Sequence, residues 1–300
     1  LYENKTKNVT NNLTRLNKAL DRHNFFDCET ILEMEHPGTG QKVMLIQSEM
    51  DVVADGSDGD RAPNLDDYIS LSDYYQPFTS YGWPKLTKTP NPLLARWESR
   101  LKEAEKEYAV KGLTAARNQQ LKATIDQLKL EIRDMKARSS LIADSDPFIV
   151  LSLLFRNYEG TNAYAPQMGD FAVVIHDKKL YPAICGDYGP SFKMGEASLF
   201  MAKAINPKAT PYNRPESDLK VSYIIFPGSR VKPNAPPNLE AWKTACLEHL
   251  NRIGGIGEGF ELHTWEDKFK KPEPPPPATA PTPASEPAPE SNESAKPASS

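Results

Sequence analysis

The sequence predicts a mainly β fold of the α+β kind: a β core with peripheral helices and an inserted antiparallel helical hairpin. Three observations lead there. Short apolar runs rich in β-branched and aromatic residues recur between Thr30 and Phe226, each bounded by turn residues. One stretch, 92–138, switches to heptad spacing. The last 35 residues are dominated by Pro, Ala, Ser and Glu and cannot bury enough apolar surface to offset their ordering entropy. The expected organisation is one domain over 1–265 and a disordered tail over 266–300, a tail or linker cut from a longer chain. Such a domain is long enough for a sizeable core.

In chain order, residues 1–26 are polar, with Leu13, Leu16 and Leu20 at helical spacing, and read as a helix lying on the domain. Asn4, Asn8 and Asn12 open glycosylation sequons, which matter only in a eukaryotic secreted chain. Thr30–Met34 and Lys42–Ile46 read as two strands joined by the turn residues 36–40. Between Glu49 and Asp73 come eight acids and one base, Arg61. A calcium loop needs acids at alternate positions and a late glutamate. The Asp51, Asp55, Asp58 and Asp60 steps do not fit. The patch reads either as a solvated loop or as a negative groove for a polycation. Residues 74–92 carry Tyr74, Tyr75, Phe78, Tyr81 and Trp83, suited to stacking on sugar rings or to packing a loop.

Leu94, Trp97, Leu101, Ala104 and Tyr108, then Leu121, Ile125, Leu128, Ile132 and Met135, repeat every three or four residues around Lys111-Gly112. Two such helices make an antiparallel pair that must pack on the domain or on a protein partner. Pro92 suits the first helical turn. Strands follow at Pro147–Leu151, Asp170–His176 and Leu180–Cys185, a helix over Glu196–Ile205, a strand at Val221–Phe226 and a helix over Leu239–Ile253. The sequence then frays through Trp265.

Net charge is −4, so no basic field points to nucleic acid. No run of 18 apolar residues would span a membrane. The three cysteines, Cys28, Cys185 and Cys246, are far apart and the five histidines are scattered, so neither a disulfide framework nor a metal or other cofactor is expected. The chain begins at Leu1, which leads us to expect a trimmed or mature form.

The stretch 186–198 carries two acids, Asp187 and Glu196, each after a glycine, on a strand–turn–helix frame. Two carboxyls so placed are what glycoside hydrolysis needs: one protonates the leaving oxygen, the other activates water or attacks the sugar. A surface loop with two solvated acids has the same spacing.

Gly169-Asp170 to Ile175, Ala183 to Pro190 and Gly195-Glu196-Ala197-Ser198 together resemble the core of glycoside hydrolase family 75, endo-acting chitosanases. Met50-Asp51 to Gly59 and Tyr223 to Ser229 are similar to further segments of that family. The 92–137 helices lie outside its pattern, and Tyr188 stands where a smaller hydroxyl residue is expected. The resemblance implies catalytic acids at Asp187 and Glu196, inversion at the β-1,4 bond, and a secreted or periplasmic enzyme acting on the polycation chitosan. Asp51, Asp55, Asp58, Asp170 and Tyr188 are the expected substrate-binding residues. Asp187 is favoured as acid, since a strand end beside Ile184 and Tyr188 raises its pKa, with Glu196 as base; the opposite assignment stays open. The glycine-flanked Asp after a hairpin also resembles double-psi β-barrel hydrolases, which suggests a double-psi-like β-barrel core. The alternatives are a cell-wall hydrolase acting on peptidoglycan and a non-catalytic glycan-binding or interaction protein.

Overall fold

A computed structural model describes residues 28–269 except 69, 70, 73 and 192, together with residues 6, 7 and 10. The helix expected over 1–26 lies outside the described residues, save that 6, 7 and 10 are helical, and so does the chain beyond 269.

β1 (Cys28–Glu35) and β2 (Lys42–Val53) form an antiparallel ladder around the turn at 36–41. β2 is longer than the expected strand and carries the first two acids of the patch, Glu49 and Asp51, near its end. Past β1, the same edge of β2 takes a short parallel strand, β8 (Glu196–Ser198). The opposite edge pairs with β9 (Glu216–Ile225). β5 (Phe148–Ser152), β6 (Phe171–His176) and β7 (Lys179–Gly189) complete the order β2-β8-β5-β7-β6-β9, and β9 returns to β2. The ladder therefore closes into a six-stranded barrel, with β1 flanking it and β10 (Glu261–Leu262) added to β7. Closure leaves these strands no free edge within the ring. Ile46, Ile149, Ala172, Val174, Ile184, Cys185, Val221, Tyr223 and Ile225 are buried in one core. α3 (Leu199–Ile205) and α4 (Leu239–Arg252) lie on the barrel, each started by a side chain that accepts a first-turn amide: Ser198 from Met201 and Asn238 from Ala241.

The helix expected to begin at Glu196 begins at Leu199. Glu196 is claimed on both sides, pairing with Asp51 of β2 and Val150 of β5. Ser198 supplies the cap, so the strand ends and the helix starts within one residue.

α1 (Leu94–Tyr108) and α2 (Ala115–Ala137) run antiparallel: Glu107 pairs with Arg117, Glu105 with Lys129 and Glu98 with Lys136. Their contact buries Trp97 against Leu128, Ile132 and Met135, and the Trp97 indole donates to Glu131 Oε2 at 2.5 Å. The excursion leaves after β3 (Gly82–Pro84) and returns into β4 (Arg138–Ser140), and these two strands pair, so its two ends are tied at one place. Trp97 also meets Tyr75 edge-on, so the helices brace the segment that walls the cleft described below.

The chain does not fray after α4. Trp265 is buried, its indole donates to the Pro182 carbonyl at 2.7 Å, and its ring packs on Phe200 and Tyr181. Contact continues past residue 265: Lys268 reaches Asp144, and Phe269 lies against the Arg61 guanidinium. Cys185 and Cys246 are buried free thiols. Among the described residues no helix is long and apolar enough to cross a membrane.

Candidate active site

Asp187 reaches the surface through an irregularity in β7. Its parallel ladder with β5 pairs Ile149 with Cys185 but Val150 with Asp187, so Gly186 is an extra residue. A strand alternates its side chains between two faces, and one extra residue resets that alternation. Cys185 stays in the core beside Ile149, while Asp187 turns to the face of Val150. Gly186 has to be glycine: a Cβ there would lie 2.6 Å from Phe148 and 2.7 Å from Leu141.

Val150 pairs on its other side with Glu196. Glu196 pairs in turn with Asp51. One row across the barrel therefore reads Asp51, Glu196, Val150, Asp187. Asp187 and Glu196 are two strand spacings apart, roughly 10 Å between Cα atoms. Both line a cavity of about 580 Å³, together with Asp55, Tyr74, Gln76, Val150, Tyr188, Gly189, Lys193 and Pro211.

The two carboxyls are held differently. Asp187 Oδ1 accepts the Ser80 amide (2.9 Å), the Ser80 hydroxyl (2.6 Å) and the Tyr188 amide (2.8 Å). Its Oδ2 makes no hydrogen bond among the described residues. Desolvation raises its pKa, and these three donors oppose the rise because they favour the anion. Glu196 Oε1 faces the Lys193 ammonium at 3.3 Å. Desolvation pushes Glu196 up to about 7, Lys193 opposes this, and the Asp51 and Asp187 charges add to it. A third carboxyl, Asp55, is also pushed up to about 7, chiefly by desolvation, against the Gln76 amide that donates to its Oδ1 at 2.8 Å.

Of the residues expected to bind substrate, Asp55 and Tyr188 line the cavity, and Asp51 stands at its edge on Lys193 Nζ at 2.9 Å. Asp58 and Asp170 do not reach it. Asp58 is fully buried and, with Asp146, pairs with the guanidinium of Arg61 under the Trp83 ring. Asp170 is fully buried too and accepts the Gln167 and Arg230 amides, which ties two loops together. Both are fixed by partners that a reading of the acids alone does not reveal. Two further acids of the patch are held by partners of their own: Glu49 pairs with Arg214, and Asp60 accepts from Leu86, Thr87 and Ser139. Among the described acids of the groove expected over Glu49–Asp73, Asp51 and Asp55 are the ones beside Asp187 and Glu196.

Sequence reasoning missed Ser80, Gln76 and Lys193. Lys193 carried a signal, lying three residues before Glu196. Ser80 carried none, being 107 positions from the acid it holds. Of the aromatic residues at 74–83, Tyr81 and Trp83 are core, while Tyr74 is 87 % exposed at the cleft. Among the described residues no group of three or more His, Cys, Asp or Glu is arranged to hold a metal ion.

No curated protein matches this chain. A family does: residues 50–259, most of the chain, match the fungal chitosanases of glycosyl hydrolase group 75, and that span includes the whole carboxylate row from Asp51 to Glu196. The chain is a glycoside hydrolase and belongs to that family.

Proposed function

We propose that the protein is an endo-acting chitosanase that cleaves β-1,4 bonds between glucosamine units with inversion. The observation that carries this reading is the register of Asp187 and Glu196 on either side of Val150. Inverting enzymes need a separation of roughly 6.5–9.5 Å between carboxyls to fit a water between base and sugar, and a backbone offset of two strand spacings, roughly 10 Å, is compatible with that range. A retaining pair sits closer, near 5 Å.

The asymmetry between the acids argues for Glu196 as proton donor and Asp187 as base, the reverse of the assignment favoured by sequence. Glu196, up at about 7, keeps its proton at mildly acidic pH, where glucosamine amines are charged. Asp187 has one oxygen fixed by three donors and the other open to the cavity, an arrangement that suits an anion receiving a proton from water. Asp51 supplies negative charge at the edge of the cleft for substrate ammonium groups, Asp55, up at about 7, offers a carboxyl that is largely protonated in the same pH range, and Tyr74 offers a flat apolar face to a sugar ring. An open cleft with a polymeric substrate fits an enzyme acting outside the cell, secreted or periplasmic. The same reading takes the ring as double-psi-like; its parallel pairings β2–β8 and β5–β7 support that.

The test is release of reducing ends from chitosan and from purified peptidoglycan. Turnover of chitosan, with KM rising as salt screens the cleft, is expected. Turnover of peptidoglycan and not chitosan would replace this reading with a cell-wall hydrolase.

A further inference from the structure

A lysine inside a cleft for a polycation is unexpected, because its charge repels the substrate. Lys193 nevertheless sits there, only 18 % exposed, with its ammonium 2.9 Å from Asp51 Oδ2 and 3.3 Å from Glu196 Oε1. The geometry is built by the backbone. Asp51 and Glu196 are register partners on β2 and β8, and the Asp51 amide donates to the Gly195 carbonyl at 2.8 Å. Lys193 leaves the preceding turn so that it meets both carboxyls from one side. The other Glu196 oxygen faces Gly189: a Cβ there would come within 3.1 Å of Oε2, so the absent side chain leaves that oxygen room.

We propose that Lys193 is a positioning residue for the reaction: held by Asp51, it fixes Oε1 of Glu196 and leaves Oε2 to carry the working proton into the cleft. The inference rests on the reading of Glu196 as the acid. It explains why a cation is kept where substrate cations must bind. Glu196 stands among three other carboxylates: Asp51 on β2, Asp187 on β7 and Asp55 beyond the end of β2. Arg138 lies toward Asp187 and Glu131 toward Asp55, so the cation directly on Glu196 is Lys193. Without it, the surrounding negative charge would hold the proton on Glu196 too tightly for transfer to the leaving oxygen.

The experiment compares Lys193→Met, Lys193→Gln and Lys193→Arg with Glu196→Gln and the unaltered enzyme. kcat and KM on chitosan are measured across pH. In the Met and Gln variants kcat falls about tenfold or more. KM falls or holds, because a repelling charge has gone. The alkaline limb of kcat/KM, which reports Glu196 losing its proton, moves up by about one unit or more. Arg restores most of kcat and returns the limb toward its place. A merely structural lysine would raise KM or lower stability and leave the limb unmoved. A limb that stays put in folded Met and Gln variants, while Glu196→Gln is inactive, overturns the role of Lys193 and leaves Glu196 as the acid. Full activity in Glu196→Gln overturns the reading of the site, and this inference with it.

Discussion

Glu196→Gln and Asp187→Asn each lose chitosan-cleaving activity by roughly 10²–10⁴-fold, the contribution of a positioned acid or base, with KM little changed. The loss falls on kcat because neither carboxyl is needed to hold the polymer; Asp51, Asp55 and Tyr74 remain. Folding does not explain the loss, and the pH dependence of stability shows why. Glu196 titrates near 7 in the folded protein and near 4.5 in the unfolded chain. Between those values the folded state holds the extra proton. Stability from this group is present below about pH 4.5 and is lost as pH rises toward 7. Above neutrality the native protein carries a desolvated carboxylate costing about 3 kcal/mol. Glutamine removes that charge, and Lys193 keeps Asp51. The Glu196→Gln variant is therefore at least as stable as the unaltered protein at pH 8, by thermal unfolding, while inactive. Asp55 has the same sign of shift and its own contribution in the same window. A Glu196→Gln variant that keeps its rate removes the acid from this account.

Gly195→Ala costs about 3 kcal/mol or more in thermal or urea unfolding, and activity falls further than the folded fraction does. Two causes add. The residue sits at φ +81°, where an L side chain is strained by roughly 1–2 kcal/mol. A Cβ there would also lie 2.4 Å from Ser48 Oγ and 2.7 Å from the Glu49 carbonyl, and the carbonyl is backbone of β2 that cannot swing away. Relief requires β2 and β8 to separate, which parts the Asp51–Glu196 pair and the Lys193 ammonium that contacts both. The Gly195 carbonyl also accepts from Asp51 N and from the Tyr223 hydroxyl, so both contacts loosen together. An alanine variant with unchanged stability would show that the turn before Glu196 is more yielding than this packing allows.

The β pattern was legible because these strands are short, apolar and bounded by turn residues; β1, β2, β6, β7 and β9 all begin or end close to where Gly, Pro, Asp and Lys punctuate the sequence. Gly-Glu-Ala-Ser-Leu resembles a helix start, and only pairing with Asp51 and Val150 makes Glu196 a strand residue. Asp58 and Asp170 were visible as acids. Their partners were not, since Arg61, which pairs with Asp58, reaches Asp146 across 85 positions and Asp170 ties amides brought together by the barrel. The expectation that the chain frays at Trp265 fails because its partners, Phe200 and Tyr181, are distant in sequence and nothing local shows them. The acid pair itself was readable as a pair. What the fold adds is the bulge at Gly186, which turns Asp187 out of the core, and the strand between the two acids that sets their distance.

That distance is the central claim, and product stereochemistry reads it directly. Proton NMR of the first sugars released from a glucosamine oligomer shows the anomer before mutarotation mixes it. Two carboxyls held on either side of Val150, with water between base and sugar, give the α-anomer from a β-1,4 bond. The β-anomer as first product would mean a carboxyl close enough to attack the sugar itself, and would contradict the account.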